Sequence, residues 1–423
     1  MKLPSLVAAI ILSVVWAHEA TAQFRFPMPE FESQYQHPQT SVPPAKKIPL
    51  AVDISVLAVA LALTAWAVLK RRSRHEVLMI TIFSIAYFGF YRKGCVCPVG
   101  SLQNVLVPFI DRSIGVPLVV LAFFFLPLLF ALYFGRVFCA AVCPLGAVQE
   151  AAAVFPVQLS RPVEAVLGLL PYAYLGLTVL SMAMGCGYII CRYDPFVGFF
   201  RQGATFNMFI FGGIMLLCGV FIARPYCRFL CPYGVLLRWV SRFSKWHAAI
   251  TPAECIQCRL CESSCPYGAI VVPVPNQPPV DRRTGTKRLA LLLLAAPAII
   301  AVAAWTGAMS HQFIARLHPT VLLAERVAAE EQGSFAERSI ESDAFRAGKQ
   351  STSELYAEAS GLRIRFKYAS AWFGAFMGFV ICAKLIRLSV VRRSDDYVPD
   401  RGACLSCARC FAYCPVEGNN ANA

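Results

Sequence analysis

The chain has 423 residues, of which 57% are apolar and only 15% are charged. This composition, with a mean hydropathy of +0.58, is typical of an integral membrane protein and excludes an ordinary soluble globular protein. The net charge of +15 does not imply nucleic acid as a partner. Basic residues in membrane chains are concentrated in cytoplasmic loops, and no nucleic-acid-binding module is recognisable.

The N-terminus predicts a secretory signal peptide over residues 1–22. An apolar stretch from Leu6 to Trp16 is followed by the small residues "ATA" before Gln23, as cleavage sites require. An uncleaved anchor is the alternative, and it leaves the same topology. Residues 23–47 are rich in proline and polar side chains, which predicts an extended extracytoplasmic linker.

Seven apolar runs predict an all-α polytopic membrane bundle, since a helix needs about 20 residues to cross the hydrocarbon core. The runs lie at residues 48–69, 76–91, 114–134, 163–184, 205–223, 287–307 and 368–388. With the mature N-terminus outside, the loops at 70–75, 135–162 and 224–286 and the C-terminal tail lie on the cytoplasmic side. The first loop, the third loop and the tail are basic, and the outer loops are modestly less so. The sequence therefore predicts a multi-pass protein of the bacterial inner membrane, in contact with lipid.

Two cysteine runs, "CIQCRLCESSCP" and "CLSCARCFAYCP", have the C-x2-C-x2-C-x3-C-P spacing of bacterial ferredoxins that bind [4Fe–4S] clusters. Three thiolates of one run wrap one cubane, and the fourth reaches the other cluster. The predicted ligands are Cys255, Cys258, Cys261 and Cys414 for one cluster and Cys404, Cys407, Cys410 and Cys265 for the second. A zinc site is the competing interpretation, but zinc is usually bound by two separated C-x2-C pairs.

The two runs predict a small bacterial-ferredoxin-like α+β module assembled from distant chain segments. The predicted order is a membrane bundle at 48–245, a ferredoxin half at 246–286, a span at 287–307, an extracytoplasmic helical excursion at 308–367, a span at 368–391 and the second ferredoxin half at 392–423. Mixed charges and apolar residues at helical intervals predict that the excursion is a solvated helical hairpin. A docking surface for an outer redox partner is the second interpretation.

A further cysteine pattern occurs twice at a period of 88 residues, in "GRVFCAAVCPLGAVQE" and "ARPYCRFLCPYGVLLR". Each copy has two cysteines four residues apart, which share a face at helical spacing, and a proline that suits the first turn of a new helix. Both copies follow apolar runs on the cytoplasmic side, so together they predict one four-thiolate site for a [4Fe–4S] cluster at the inner membrane boundary. Its predicted ligands are Cys139, Cys143, Cys227 and Cys231. Reduced cysteines packed in the bundle are the alternative.

Four more cysteines fall in segments predicted on the outer side: Cys95, Cys97, Cys186 and Cys191. They predict a fourth cluster at the outer boundary. Disulfides are the alternative because that compartment is oxidising, although a bridge across C-x-C is geometrically cramped. The two remaining cysteines, Cys218 and Cys382, lie inside apolar runs and are interpreted as packing residues.

The doubled CxxxCP motif after membrane helices, followed by a ferredoxin run, resembles the membrane polyferredoxins of the NosR/NapH type. The resemblance covers roughly residues 75–270 and the C-terminal ferredoxin half. It implies that the cysteines of the CxxxCP pairs and of both ferredoxin runs are cluster ligands. It also implies electron transfer between the quinone pool or cytoplasmic donors and extracytoplasmic reductases. Two departures are the lack of a flavin-binding domain in the short linker and the outer cysteine pairs, which the core motif does not contain.

The remaining sequence favours one-electron transfer over hydrolytic or group-transfer chemistry. It has no P-loop, no GxSxG elbow and no C-x-x-C-H haem site, and all six histidines lie outside the apolar runs. We therefore expect an electron-transfer subunit of a redox complex, resembling a quinol dehydrogenase, with an extracytoplasmic partner that bears flavin or haem. The alternative function is a redox-sensing or metal-reducing factor that matures or regulates a respiratory enzyme.

Overall fold

The computed structural model describes much of the chain outside its N-terminal segment. The described residues are 50–94, 98–110, 115–188, 194–201, 203, 206–250, 255–273, 282–333, 339–348, 350–390, 394 and 396–415. The predicted signal peptide (1–22) and linker (23–47) lie outside the described residues. So do three of the predicted outer cluster ligands, Cys95, Cys97 and Cys191.

The first half of the described chain consists of apolar helices joined by short turns. Its helices are Leu50–Trp66, Arg74–Ser84, Pro98–Ile110, Leu118–Phe134, Pro144–Ala152, Arg161–Leu167, Leu170–Ala183, Pro195–Arg201, Phe206–Phe221, Pro225–Phe229 and Pro232–Ser241, with π-helical turns at Ala67–Arg71, Ile85–Tyr91 and Phe138–Val142. Several of these helices have proline in the first turn, where the missing N–H group would have had no intrahelical partner.

The second half has longer helices and two short strands. Its elements are helices Leu260–Ser264, Arg282–Met309, His311–Ala315, Pro319–Glu331, Ile340–Ala347, Thr352–Ser389 and Arg409–Ala412, and strands Ile270–Val271 and Val398–Pro399. Helix Thr352–Ser389 begins with a capping box formed by Ser351 and Glu354. It continues without a break past residue 367, so the predicted boundary between the excursion and the last span is not a helix end.

Among the described residues, four helices are long and apolar enough to cross a membrane: Val52–Arg71, Pro162–Ala183, Arg283–Met309 and Thr352–Ser389. The predicted runs 114–134 and 205–223 contain apolar helices of 17 and 16 residues. The first of these is bounded by Pro117 at its N-cap and by Gly135, whose φ of 75° ends the helix. The seven predicted spans are therefore supported at four positions by helix length and composition, and the full count stays a prediction.

Helices Arg282–Met309 and Thr352–Ser389 approach each other closely through glycine. A Cβ atom at Gly374 would overlap the carbonyl oxygen of Ala303, and one at Gly378 would lie 2.9 Å from the Ala303 Cβ. These two glycines form a G-x-x-x-G pattern, which permits close helix contact within membranes. The segments predicted as the excursion and as the C-terminal ferredoxin half are thus connected to one tightly packed helix pair.

The largest apolar core lies in the first half of the chain. Leu57, Leu61, Phe88, Phe138 and Tyr233 are almost completely buried in it. The cysteines of both CxxxCP segments belong to this core or pack against it. The fold therefore places the CxxxCP motifs inside the helix bundle.

Candidate iron-sulfur sites

We name the four predicted ligand sets sites A to D. Site A comprises Cys255, Cys258, Cys261 and Cys414; site B comprises Cys404, Cys407, Cys410 and Cys265; site C comprises Cys139, Cys143, Cys227 and Cys231; and site D comprises Cys95, Cys97, Cys186 and Cys191. The fifteen cysteines among the described residues are all free of disulfide bonds.

The four cysteines of site A line one cavity. Ile250 and Tyr397 also line the cavity. Three of the cysteines come from the first run, and Cys414 comes from the second. Burial raises the pKa of Cys261 to about 11, so its thiolate form requires a cation nearby, such as a bound metal.

The backbone loops of the two ferredoxin runs have left-handed residues at equivalent positions. Gln257 and Arg259 have φ angles of 52° and 63° in the first run. The equivalent residues of the second run, Ser406 and Ala408, have φ angles of 54° and 60°. Alternation of left-handed and right-handed residues forms nests, whose N–H groups converge on anions such as iron–sulfur clusters. Both loops therefore fit an anionic cluster by their backbone as well as by their thiols.

Site B joins three cysteines of the second run to one of the first. Cys265 and Cys407 are each 9% exposed, and Cys265 lies within electrostatic range of Cys404, Cys407 and Cys410. Burial raises the pKa of all three second-run thiols, that of Cys404 to about 12. The backbone N–H of Ser406 donates to the Cys404 sulfur at 3.4 Å, which favours the thiolate.

The two ferredoxin halves are held together by backbone pairing. Strands Ile270–Val271 and Val398–Pro399 pair antiparallel, with Ile270 opposite Pro399. The N–H of Asp400 then donates to a carbonyl oxygen just before the first strand at 2.7 Å. The short helices of the two runs also contact each other. These contacts bring sites A and B side by side although their segments are distant in sequence.

The second cysteine of each CxxxCP segment caps a helix. Cys143 is the N-cap of the helix that begins at Pro144, and Cys231 is the N-cap of the helix that begins at Pro232. This confirms the predicted place of both prolines in a first helical turn. The positive end of each helix dipole therefore lies at site C, where it favours anionic sulfur.

The first cysteine of each segment lies in the turn before the cap. Cys139 is in the π-helical turn Phe138–Val142 and Cys227 is in the short helix Pro225–Phe229. The expectation of one continuous helical face for each pair was wrong, because the capping cysteines have extended ψ angles of 115° and 112°. The following proline explains this, since it disfavours helical backbone in the residue before it.

The four thiols of site C lie close enough to influence one another. Burial raises the pKa of Cys143, and the nearby Cys227, Cys139 and Cys231 raise it further. Burial also raises the pKa of Cys227 to about 12, although the Gln149 amide donates to its sulfur at 3.3 Å. Buried thiolates in this number require cationic compensation, which iron would provide.

Sites A, B and C are joined by shared apolar packing. Cys410 of site B packs in the apolar group that contains Cys255 and Cys261 of site A. Cys139 of site C packs against the group that contains Cys265 and Cys407 of site B. The three candidate sites are therefore consecutive neighbours in the order A, B, C.

A buried ion-pair network that no motif predicted lies where sites B and C meet. Glu150 is 4% exposed and pairs with Arg224 and Arg409 at 2.8 and 2.9 Å. It also pairs with Arg74 and accepts a hydrogen bond from the Tyr267 hydroxyl at 3.1 Å. Burial by itself would raise the pKa of Glu150, but the three guanidinium groups hold it well below its usual range. The network joins all four segments predicted to share the cytoplasmic side.

Two buried arginines occupy the same position in the CxxxCP repeats, three residues before the first cysteine. Arg224 is fully buried and donates to the carbonyl oxygens of Cys139 and Ala140. Arg136 donates to the carbonyl oxygen of Gly402 at 3.5 Å, and its Nη2 lies 3.7 Å from the Cys139 sulfur. A pattern of R-x-x-C-x-x-x-C-P-x-G is common to both repeats. The two arginines could have been identified from the sequence by aligning the two repeats over the residues that flank their cysteines.

Site D is described only at Cys186. This residue is half-buried and packs with Ala315, Val321 and Phe366 of the excursion segment. Burial raises its pKa to about 11. The choice between a fourth cluster and disulfides falls on cysteines outside the described residues.

The chain segments that continue from the other site D cysteines contact site C. Val99, just after the C-V-C-P motif, is fully buried and packs against Cys231. Asp194, just after the second outer pair, is buried and accepts a hydrogen bond from the hydroxyl of Tyr226. Both outer segments therefore reach the layer of the bundle that contains site C.

The two cysteines outside the four sites differ in burial. Cys382 is buried in helix Thr352–Ser389 and its sulfur lies 3.9 Å from the carbonyl oxygen of Ala296, as expected of a packing residue. Cys218 is exposed on helix Phe206–Phe221, so this structure does not show a packing role for it.

No group of three or more His, Cys, Asp or Glu side chains in the described part of the chain is arranged to hold a single metal ion. Two thiolates on one zinc ion lie less than about 4.6 Å apart, twice the usual Zn–S distance. Thiolates around a four-iron cubane lie farther apart because each binds a different iron atom.

Two family models match the chain, and both are described as 4Fe-4S binding domains. One matches at residues 77–117, 116–162 and 204–250, and the other at residues 248–271. The first three matches include the C-V-C-P segment and both CxxxCP segments, and the fourth includes the first ferredoxin run.

Curated relatives match less than the whole chain. Protein NirI of Paracoccus denitrificans is 29% identical over 246 residues, which are 53% of this chain and 36% of NirI. The putative electron transport protein YccM of Escherichia coli is 26% identical over 191 residues, 40% of this chain and 52% of YccM. The regulatory protein NosR of Pseudomonas aeruginosa is 27% identical over 209 residues, 44% of this chain and 28% of NosR. The chain thus spans about half or less of the length of these relatives, and no solved structure matches it significantly.

Proposed function

We propose that this chain, a membrane iron–sulfur protein of the NosR/NapH kind, passes electrons across its helix bundle. The donors are cytoplasmic or belong to the quinone pool, and the acceptor is an extracytoplasmic partner that bears flavin or haem. The observation that carries this proposal is the direct packing of site A on site B and of site B on site C. Electron transfer through a protein needs closely spaced cofactors, and shared packing supports such spacing.

In this proposal each site binds one [4Fe–4S] cluster through its four cysteines. Two clusters belong to the ferredoxin-like module, one lies at the inner boundary, and the fourth occupies site D. When bound, such a cluster takes up and releases one electron at a time. The protein supplies thiolates, the backbone nests of sites A and B, and an apolar environment that limits access of water to sites B and C.

The proposed topology has seven spans and places the ferredoxin halves on the cytoplasmic side. Helices of 16 and 17 residues are short for a bilayer, which adapts to such helices by local thinning at a modest cost. Four segments predicted on the cytoplasmic side meet around Glu150. This supports their common location, since three of them are basic and basic loops remain on the cytoplasmic side. The contacts of Val99 and Asp194 near site C support a short step from site C to site D.

The outer partner is proposed to dock near the excursion at residues 308–367. Cys186 of site D packs with Ala315 and Val321 of this segment. A protein bound to the excursion would therefore lie close to the outer end of the electron path. This contact favours the docking interpretation over a hairpin that serves only as a solvated cover.

Electron transfer across the membrane can be measured in lipid vesicles. The full-length protein is purified anaerobically and reconstituted with ferricyanide inside the vesicles, and dithionite is added outside with potassium and valinomycin to balance charge. Each ferricyanide accepts one electron, and dithionite supplies two electrons as it is oxidised to sulfite. We expect ferricyanide to be reduced much faster than in protein-free vesicles. A Cys139→Ala/Cys227→Ala variant that is as fast as the wild type would refute transfer through site C.

The exchange of ligands between sites A and B has its own test. We expect Cys414→Ala to remove the electron paramagnetic resonance signal of site A, because Cys414 lines the site A cavity. Cys265→Ala should instead remove the signal of site B. If Cys414→Ala affected only the cluster held by Cys404, Cys407 and Cys410, the assignment would be wrong.

A regulatory or maturation function is the second candidate, because one relative bears the name of a regulatory protein. Under this function the clusters respond to redox state or reduce a metal without sustained electron flow. Iron at all sites combined with vesicle rates no faster than those of the double variant would favour this function over the electron path.

A further inference from the structure

Arg136 and Arg224 occupy equivalent positions in the two repeats but differ in their counter-charges. Arg224 pairs with the carboxylate of Glu150 at 2.8 Å. Among the described residues Arg136 pairs with no carboxylate, and its Nε atom is buried without a hydrogen-bond partner. A buried unpaired cation is unfavourable, so the surroundings of Arg136 must supply negative charge in another form.

Arg136 contacts a sulfur atom that would carry negative charge once a cluster is bound at site C. Its Nη2 lies 3.7 Å from the sulfur of Cys139, and its charge reaches Cys227 of site C and Cys404 of site B. A Cβ atom at Gly234 would lie 3.5 Å from the same Nη2. The glycine of the second repeat thus leaves room for the guanidinium of the first repeat beside site C.

The other charged groups around Arg136 do not neutralise it. Arg238 lies within electrostatic range and adds positive charge. Asp400 precedes the Gly402 carbonyl that Arg136 contacts, but its carboxylate pairs with Arg387 at 2.6 Å. The thiolates of site C are therefore the main compensation available to Arg136.

We propose that Arg136 is a positioning residue whose unpaired charge stabilises the reduced form of a cluster bound at site C and raises its reduction potential. Arg224, balanced by Glu150, has the different role of joining the two repeats through the carbonyl oxygens of Cys139 and Ala140. A cluster held by four thiolates is anionic, and reduction adds one more negative charge, so a buried cation favours reduction. This inference rests on the proposed function only in requiring a cluster at site C.

The test is a redox titration of three full-length variants, monitored by electron paramagnetic resonance. The iron content of each variant is measured beforehand. The site C signal is the one that Cys139→Ala/Cys227→Ala removes. We expect Arg136→Gln to make reduction of site C about tenfold less favourable, which is about 59 mV for a one-electron couple. Arg136→Lys should keep the wild-type potential because it keeps the charge. Arg363→Gln, in an exposed ion pair of the excursion, controls for the loss of one positive charge and should also leave the potential unchanged.

An unchanged site C potential in Arg136→Gln with full iron content would overturn the inference. If Arg136→Gln lost the iron of one cluster, Arg136→Lys would decide: full iron with the wild-type potential supports the role of charge, and loss of iron in both variants shows a role in packing alone. A protein with the expected shift but no electron transfer across vesicles would refute the proposed function and leave this inference intact. A wild-type protein without a site C signal would refute both.

Discussion

The two CxxxCP repeats share a motif but differ in the backbone that precedes their second cysteine. Cys139 lies in the π-helical turn Phe138–Val142, whereas Cys227 lies in the short α-helix Pro225–Phe229. Both repeats nevertheless present the second cysteine at the N-cap of a new helix. The proline after that cysteine accounts for the shared cap, because it begins a helix and disfavours helical backbone in the residue before it.

The two repeats also differ in the left-handed residue at which each of them begins. The first repeat follows Gly135, which has a φ of 75°, and the second begins with Arg224, which has a φ of 51°. A left-handed conformation costs a residue other than glycine about 1–2 kcal/mol. Arg224 can adopt it because Glu150 and two carbonyl oxygens bind its guanidinium group. Thus the positive φ angle before the first repeat is adopted by a glycine. The positive φ angle of the second repeat is adopted by Arg224, which long-range contacts hold in place.

The repeats also differ in what they donate to site C. Gln149, six residues after Cys143, donates to the sulfur of Cys227 at 3.3 Å and accepts from the Tyr226 N–H at 2.9 Å. The equivalent position of the second repeat is Leu237, which has no polar side chain. The first repeat therefore donates a hydrogen bond to a sulfur of the second repeat, and Leu237 cannot donate one in return.

The largest expected effect comes from removing one cysteine ligand of site C from one repeat. If both repeats bind one cluster, Cys139→Ala should lose the iron of one cluster, and Cys139→Ala/Cys227→Ala should lose no more. Iron and acid-labile sulfide in anaerobically purified protein measure this. Cys382→Ala, at a buried cysteine outside the four sites, is the control and should keep all iron. Additive losses would mean that the two repeats bind separate clusters.

The next largest effect is expected on stability when Glu150 is changed. Glu150 balances the charge of Arg224 in the second repeat, and Arg136 in the first repeat has no such carboxylate among the described residues. Glu150→Gln should lower the free energy of unfolding by about 3–5 kcal/mol, since it leaves buried guanidinium groups without their carboxylate. Denaturant unfolding in detergent measures the change.

The control for Glu150 is the same substitution at an ion pair with a more exposed carboxylate. Glu164 pairs with Arg228 of the second repeat at 2.7 Å, and the Glu164 side chain is 36% exposed. Glu164→Gln should lower stability by less than Glu150→Gln does, because the Glu164 carboxylate is partly in solvent and Arg228 keeps its hydrogen bonds to the carbonyl oxygens of Pro266 and Tyr267. Equal effects of the two substitutions would show that burial of Glu150 does not determine its contribution.

Local features of the sites and the pairing of the two ferredoxin runs could be predicted from the sequence, but the contacts around Glu150 could not. The spacing of the ferredoxin runs and the prolines after Cys143 and Cys231 act over a few residues, so the sequence identifies them. The pairing of Glu150 with Arg224 joins residues 74 positions apart, which no local pattern specifies. The limits of helix Leu118–Phe134 likewise depend on its flanking proline and glycine more than on the length of its apolar run.

Gln149→Leu makes the first repeat resemble the second and should have an intermediate effect. It removes the hydrogen bond to the Cys227 sulfur and leaves the buried N–H of Tyr226 without its acceptor. We expect a loss of about 1–3 kcal/mol in the free energy of unfolding and a more negative potential of site C, because hydrogen bonds to sulfur raise cluster potentials. Gln350→Leu, at an exposed glutamine, is the control and should change neither quantity. A normal potential in Gln149→Leu would show that this amide does not act on the cluster.

The smallest effects should come from the glycines that let each repeat pack on the arginine of the other. A Cβ atom at Gly146 would lie 3.4 Å from Arg224 Nη1, and one at Gly234 would lie 3.5 Å from Arg136 Nη2. Because these are ordinary contact distances, Gly146→Ala and Gly234→Ala should each change the free energy of unfolding by less than about 1 kcal/mol, with the helix propensity gained partly offset by crowding. Gly361→Ala, in a helix with no neighbouring atom within 4 Å, measures the gain in propensity alone. Reciprocal packing of the repeats predicts that both variants keep their iron. It also predicts that both gain less unfolding free energy than the control, by similar amounts. Loss of iron in only one of them would show that the two repeats do not contribute equally to the walls of site C.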